Sequence, residues 1–521
     1  MRNRLAFATI AAATIAARLP FLLRADRFFN SDEAVEGLMA RHVLAGEHPL
    51  FLWGQRYKGV PEIYLDAAVF RVAGSSVIAL KAVTLACFAV FLCLNFVLLT
   101  RLFSRRLAWM ATAFLIAGPP TLVLWTLSGS AEIVMTFLAG AVLLLAIERW
   151  IHQATQKGSP YVRGPLLVAA AAAGFGLWVQ QYILYYVASL VVTAAIVTPG
   201  WRRAVRETLR TRLPWWTRAV VTTLAAVALL YVVLGLIASF TGGIDAQVLN
   251  VHITATHPQK MWWIAGALIA TATTVAVCVI WRTWLIAPAL AFLVGYLPAI
   301  VGRLGNHGLG SPIARLDFYT LRAALPDITG AMMPMLFGWR DPDTAPTVFP
   351  ALAFVIVAVV IVSYWRVFRE KLPPLFHVFP LVAIAMFFIS GSYIDAQTYR
   401  YLMPIYAALP VVYAAGVDGV WRAHRATGFA LLALALLVFV AQQIDWYVRM
   451  KPDVESQRTI ACLEAAGVRA AKAGYWQSYK LTFLTNEHII VAPVDGLDRY
   501  RPYSELTREA PLVDSILARC R

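Results

Sequence analysis

Charge is what this chain has least of. Only 14% of its 521 residues are Asp, Glu, Lys or Arg, against about 25% in a soluble domain. With 60% hydrophobic residues and a mean hydropathy of +0.68, a water-soluble globular protein is excluded. Cysteine is scarce as well. The five present form no CxxC pair and no zinc-ligand spacing, so a redox motif or structural zinc site is not expected. Acids are the rarer sign, 28 against 45 Lys and Arg, giving a formal charge of +17. No repeat of fixed period and no low-complexity linker is found, which argues against a solenoid.

What the chain does have is apolar runs. About 17–25 residues cross a hydrocarbon core, and such runs lie near 5–23, 77–100, 107–127, 132–148, 164–180, 182–199, 219–240, 262–280, 285–301, 349–365, 375–391, 402–420 and 428–445. They predict a polytopic α-helical membrane protein of about 13 transmembrane helices. The basic start and small residues of "MRNRLAFATIAAATIAARLPFLL" have the look of a signal peptide, but the apolar run continues to Leu23, so an uncleaved helix is expected.

Basic residues set the orientation. "RLFSRR" (101–106), "WRRAVRETLRTR" (201–212), "RVFREK" (366–371) and "WRAHR" (421–425) all fall on the side of the N-terminus, which is therefore cytoplasmic. The positive charge is a topology signal, and nucleic acid is not an expected partner. An odd span count then places the C-terminus outside. The expected location is the cell inner (plasma) membrane, with lipids as partners. Residues 1–445 form the membrane module, with a first outer loop at 24–76 and a larger one at 302–348. Residues 446–521 alternate helix and strand patterns, which predicts a small extracytoplasmic α/β domain. Its Cys462 and Cys520 are the cysteines outside the spans, on an oxidising face, and are expected to pair. Cys87, Cys93 and Cys278 read as buried small hydrophobes.

The stretch "FFNSDEAVEG" (28–37) puts Asp32, Glu33 and Glu36 at the mouth of the first helix. One reading is structural: Ser31 or Asp32 caps a helix, and the acids complement its dipole. The other is functional, because ionisable groups at a membrane edge are costly and mark substrate paths. Asp32 and Glu36 share one helix face, and Glu33 points elsewhere. Downstream, "GQRYKGVPEIYLDAAVFRVAGSS" (54–76) supplies Arg56 and Lys58, cations suited to phosphate, beside Tyr57 and Tyr64. Its Ile63, Ala67, Val69 and Phe70 predict an amphipathic helix lying in the interface. Lys81 and Asp418, near span ends, are expected to snorkel.

The Asp-Glu pair after the first helix, with "GQRYKGVPEIYLDAAVFRVAG", resembles the first outer loop of GT-C glycosyltransferases, in pattern the protein O-mannosyltransferases and aminoarabinose lipid A transferases. "TYRYLMPIYAALP" (398–410) is similar to the Arg-Tyr-Leu-x-Pro stretch of many bacterial members. "GYWQSYKLTFLTNEHIIVAP" (474–493) is similar to the outer tail of a bacterial subgroup, and a small α/β domain often accompanies GT-C cores. The resemblance implies a transferase that moves a hexosyl or pentosyl unit from a polyprenyl-phosphate donor to an acceptor hydroxyl on a glycan, lipid or protein. By family position Asp32 is the general base of an inverting displacement and Glu33 its neighbour or orienting partner. Arg56, Tyr57, Lys58, Glu132, Gln180, Gln181, Arg400 and Tyr401 are the implied substrate-binding residues, with Arg400 on the lipid phosphate. The loop holding His307, Arg315 and Arg322 could close over substrate. In oligosaccharyltransferase relatives a second acidic motif helps hold a divalent cation. Glu132 stands here without a paired Asp, so Mg or Mn remains open and no metal ligand is assigned. Two other readings remain: a transporter or flippase of lipid-linked sugars, and a non-catalytic assembly factor of the same fold.

Overall fold

The computed structural model describes residues 2–129, 132–157, 163–197, 214–241, 244–248, 251–255, 258–304, 318–343, 353–370, 373–389, 393 and 395–520. Helices dominate. In order they are α1 Arg2–Leu22, α2 Ser31–Leu44, α3 Pro61–Ala73, α4 Val77–Leu102, α5 Arg105–Ile116, α6 Pro120–Trp125, α7 Glu132–Lys157, α8 Arg163–Val179 and α9 Ile183–Val197. There follow α10 Trp215–Thr241, α11 Pro258–Leu304, α12 Phe318–Asp327, α13 Met333–Leu336, α14 Ala353–Glu370, α15 Leu375–Ile389, α16 Leu409–Ala423 and α17 Arg425–Arg449. A 3-10 helix, Ala396–Ala407, leads into α16. Among the described residues six helices are long and apolar enough to cross a membrane, or seven with the bent pair 397–407 and 409–423 taken as one span. The chain is a mostly helical membrane protein.

Three expected spans form differently. The run 107–127 is broken into α5 and α6 at "AGPP" (117–120), where the prolines cannot donate to the preceding turn. Arg18 of α1, fully buried, meets the carbonyls freed there, donating to Ile116 O at 2.5 Å and Leu115 O at 3.3 Å. Gln443 donates to Gly118 O at 2.6 Å. A helix break at membrane depth is stable when neighbours satisfy its backbone in this way. The runs 262–280 and 285–301 are instead one continuous helix, α11. Their separator, "WRTW" (281–284), is polar enough to suggest a loop, yet it contains no Gly, Pro or Asn to turn the chain.

The two ends of the bundle differ in charge. At one end of α4 lie α2, α3 and the acids of the first loop. Beyond its other end Arg106 reaches Asp418 at 2.6 Å, with Arg422 at 2.8 Å and Arg366 at 3.8 Å from the same carboxylate. Asp418 is fully buried, so it does not snorkel; three guanidinium groups hold it inside. The 26 residues of α4 separate these ends by about 39 Å.

The tail runs α18 Val454–Ala465, a strand Ala470–Ala473, α19 Tyr475–Leu484, a strand Ile490–Pro493, α20 Arg501–Leu506 and α21 Val513–Leu517. The strands pair in parallel, from Ala470 with Ile490 to Ala473 with Pro493. Leu463, Ala471 and Val491 form a small core of its own. A second core joins the tail to the first loop: Tyr475, Tyr479 and Phe483 pack with Phe29, Leu38, Ile63, Ala67 and Phe70. The apolar stripe of α3 is therefore buried in this shared core, with the Phe70 ring 6.4 Å from that of Phe483. At Gly37 of α2 a Cβ would lie 2.4 Å from the Phe483 ring, so only glycine lets α2 and α19 come this close. Cys462 and Cys520 are joined in a disulfide with Cα atoms 6.1 Å apart.

That bond closes a loop of 58 residues, which by the chain-entropy model stabilises the tail by about 4 kcal/mol. Cys520→Ser is expected to make residues 454–517 the first segment cut in limited proteolysis, while the helices of the bundle stay resistant.

Candidate active site

Helix α2 begins one residue earlier than its acids. Its cap is Asn30, whose Oδ1 accepts the Glu33 N–H at 3.1 Å. Neither Ser31 nor Asp32 caps. Ser31 Oγ accepts the Lys480 N–H at 3.3 Å, and Asp32 is left without a structural duty to its own helix.

Glu33 points into the protein. It is fully buried and paired with Lys81, which is also fully buried, and it accepts the Gly129 N–H at 2.8 Å. Burial pushes the Glu33 carboxyl above its ordinary range, with Lys81 pulling against it. Glu33 thus does not reach reactants, and Lys81 does not snorkel: each is the other's counter-ion.

One helical step round, Asp32 is 27% exposed. Its Oδ1 accepts a hydrogen bond from the Tyr475 phenol, and its Oδ2 lies 3.7 Å from Arg400 Nη1. Arg400, 31% exposed, comes from the 3-10 helix and also donates to Tyr401 Oη at 3.3 Å. The Tyr401 ring stands 5.9 Å from that of Tyr182.

Glu36, a turn beyond Asp32, meets Lys58 at 2.8 Å, and the same ammonium pairs with Glu132 of α7. Burial works against the Lys58 charge, but Glu132 and Glu36 together hold it above the usual lysine range. Lys58 is therefore saturated by carboxylates and not free for a phosphate, contrary to the sequence expectation. Behind it, Glu62 accepts from Thr84 Oγ1 at 2.6 Å, while Glu62 Oε2 and both Asp66 oxygens have no hydrogen-bond partner. Burial, then nearby Glu36, holds the Glu62 carboxyl well above its ordinary range. Burial and Glu62 do the same for Asp66. A small cavity opens among Glu36, Lys58, Glu62, Glu132, Met135 and Val179.

Among the expected site residues, Asp32, Lys58, Glu132, Arg400 and Tyr401 come together, with Glu36 joining Lys58 beside them. Tyr57 feels the charges of Arg499, Lys58 and Glu132, and burial raises its phenol above the ordinary range. Gln180 is buried, its side-chain oxygen turned to the Gln181 N–H at 3.0 Å. Arg322 is exposed. His307, Arg315 and the side chain of Arg56 lie outside the described residues. Tyr475 and Arg499 are additions that no local pattern marked.

Solved structures share this architecture. ArnT from Cupriavidus metallidurans bound to undecaprenyl phosphate matches over 98% of this chain and 90% of its own, with a TM-score of 0.52 and 12% identity. The oligosaccharyltransferase of Archaeoglobus fulgidus in complex with Zn and sulfate matches over 96% of this chain and 66% of its own, with a TM-score of 0.50 and 13% identity. The fold of this chain is similar to that of these two proteins. This chain spans just under two thirds of the archaeal enzyme. No protein-family model matches the chain, and neither does any curated protein.

A resident divalent cation of the kind the GT-C likeness brings to mind fits these donors poorly. The described residues hold no group of three or more His, Cys, Asp or Glu poised for one. Glu132 and Glu36 are met by Lys58, and Asp32 by Arg400 and Tyr475. Cationic side chains supply the positive charge that a metal would.

Removing one partner of a buried ion pair strands the other, at about 3–5 kcal/mol. Lys81→Met is expected to lower thermal stability by that order, and Lys81→Met with Glu33→Gln to regain most of it. Unfolding curves of the detergent-solubilised variants give the comparison.

Proposed function

We propose that the protein is a GT-C glycosyltransferase that moves a sugar, hexosyl or pentosyl, from a polyprenyl-phosphate donor to an acceptor hydroxyl on a glycan, lipid or protein. The observation that carries this reading is Asp32. It caps nothing, stands part-exposed at the rim of the bundle and faces a guanidinium. A carboxylate so placed can take the proton of the acceptor hydroxyl as its oxygen attacks the anomeric carbon. The bond from that carbon to the phosphate oxygen breaks, and polyprenyl phosphate leaves with the electron pair. Its charge needs a cation, and Arg400 is the described cation beside Asp32 that is not saturated by buried carboxylates. One displacement suffices, so the anomeric configuration inverts. The Cupriavidus ArnT structure holds undecaprenyl phosphate, which suits the same donor class here.

The reading places the site on the outer face of the inner (plasma) membrane, with the N-terminus cytoplasmic. Loop 24–76 follows the first crossing, and the tail shares a core with that loop, so both lie on one side. The number of crossings before the tail is then odd, in keeping with about 13. Residues 1–445 serve as the membrane module and 446–521 as an extracytoplasmic α/β domain. The ionisable groups gather at the ends of the bundle instead of its midplane, which favours transfer over transport.

Asp32→Asn is expected to lower turnover by roughly 10²–10⁴, and wild-type turnover in the purified variant would remove Asp32 as the base. Arg400→Ala is expected to weaken donor binding by about 1.5–3 kcal/mol. Titration with a polyprenyl phosphate reads this directly, and unchanged affinity would leave Arg400 as an interface anchor.

A further inference from the structure

We infer that Tyr475, brought in by the C-terminal segment, is a positioning residue for Asp32, and that Arg499 holds Tyr475 in place. The inference rests on the transferase reading above and adds to it a part of the chain outside the membrane module.

An aspartate on the first turn of a helix has a rotatable carboxylate, and a base works only when its reacting oxygen is held within a fraction of an ångström. Glu33, its neighbour, is turned away to Lys81 and cannot orient it. Tyr475 can. Its phenol donates to Asp32 Oδ1, leaving Oδ2 on the side of Arg400. The Tyr475 ring is 2% exposed and packed 5.7 Å from that of Tyr479, so the hydroxyl has little freedom. Its backbone is fixed too, since the Tyr475 N–H donates to Asp495 Oδ2 at 2.9 Å.

Arg499 completes the arrangement. Its Nε donates to Tyr475 Oη at 3.3 Å, which leaves the phenol proton for Asp32. The Gln55 amide, turned so that its oxygen faces the guanidinium, accepts from both terminal nitrogens at 2.8 and 2.9 Å. The Arg499 N–H donates to Tyr479 Oη at 2.7 Å. Strands β1 Phe51–Leu52 and β2 Gln55–Gly59 form the hairpin that carries Gln55. The hairpin turns at Gly54, whose φ of +68° suits glycine, and a Cβ there would meet the Arg499 backbone at 3.2 Å. The hairpin, Arg499, Tyr475 and Asp32 are thus linked in series, each by a hydrogen bond. Burial and Asp32 push the Tyr475 phenol up, so it stays protonated and serves as a donor across the working pH range.

Tyr475→Phe keeps the buried ring and deletes the donor. The expected result is a roughly tenfold fall in kcat, with donor KM unchanged and the thermal midpoint near that of the wild type. In an Asp32→Asn background the same change is expected to cost nothing further, because Tyr475 acts through Asp32. Wild-type kcat in Tyr475→Phe, or an equal loss in both backgrounds, would overturn the assignment. A readout free of turnover separates this from failure of the transferase reading: labelling of Asp32 by a water-soluble carbodiimide, followed by peptide mass spectrometry. Labelling several-fold faster in Tyr475→Phe supports the contact even in a protein that transfers no sugar. Labelling at the wild-type rate overturns it, whatever the reaction proves to be.

Discussion

The buried pair of Glu33 and Lys81 fixes the rotation of α2, and the site follows from that rotation. A helix turns by about 100° per residue, so seating Glu33 against α4 decides where every other side chain of α2 looks. Asp32 and Glu36 are swung toward the hairpin and the 3-10 helix. Glu33, Gly37 and Arg41 form the stripe that meets α4 and α19: Gly37 lies under Phe483, and Arg41 donates to Phe483 O at 2.9 Å. His42 then bridges Glu47 at 2.7 Å and Glu487 at 3.2 Å. Burial opposes its charge, but these carboxylates lift the imidazole above its ordinary value. One inward-facing charge thus orients the Asp32 face and the docking face of the same helix.

The class of the protein was legible because it depends on composition and run length, which need no tertiary information. So was the concentration of acids after the first helix. The reading failed where neighbours decide. Lys81 and Asp418 looked like snorkelling residues because their span positions were visible and their partners were not. The cap at Asn30 lost to Ser31 and Asp32 in the sequence because all three residue types cap well. Lys58 read as a phosphate ligand, since nothing local shows that Glu36 and Glu132 converge on it. Tyr475 is 443 positions from Asp32, and no periodicity or spacing rule reaches that far. The resemblance to GT-C loops drew attention to Asp32 and Arg400, and the folded chain brings Tyr475 beside them.

The charge around the site is unbalanced in a way that suits its place. Glu36 and Glu132 meet the Lys58 ammonium, with Glu62 beside it and Asp66 beyond Glu62. Burial makes the ionised form of Glu62 and Asp66 unfavourable. At the other end of the bundle one carboxylate, Asp418, is surrounded by three guanidinium groups. The basic excess of the chain is therefore matched by local clusters of opposite sign at its two ends.

The docking of the last seventy residues onto the first loop also bears on how the protein is made. A chain emerging from the ribosome presents Asp32 first, while Tyr475 follows 443 positions later and Arg499 later still. Until the tail has folded and seated its helix on α2, the carboxylate has no phenol to hold it and the hairpin has no Arg499 to close upon. The contact between Asp32 and Tyr475 thus forms only after the tail has been made, and a chain that stops short of it lacks the phenol that holds this carboxylate.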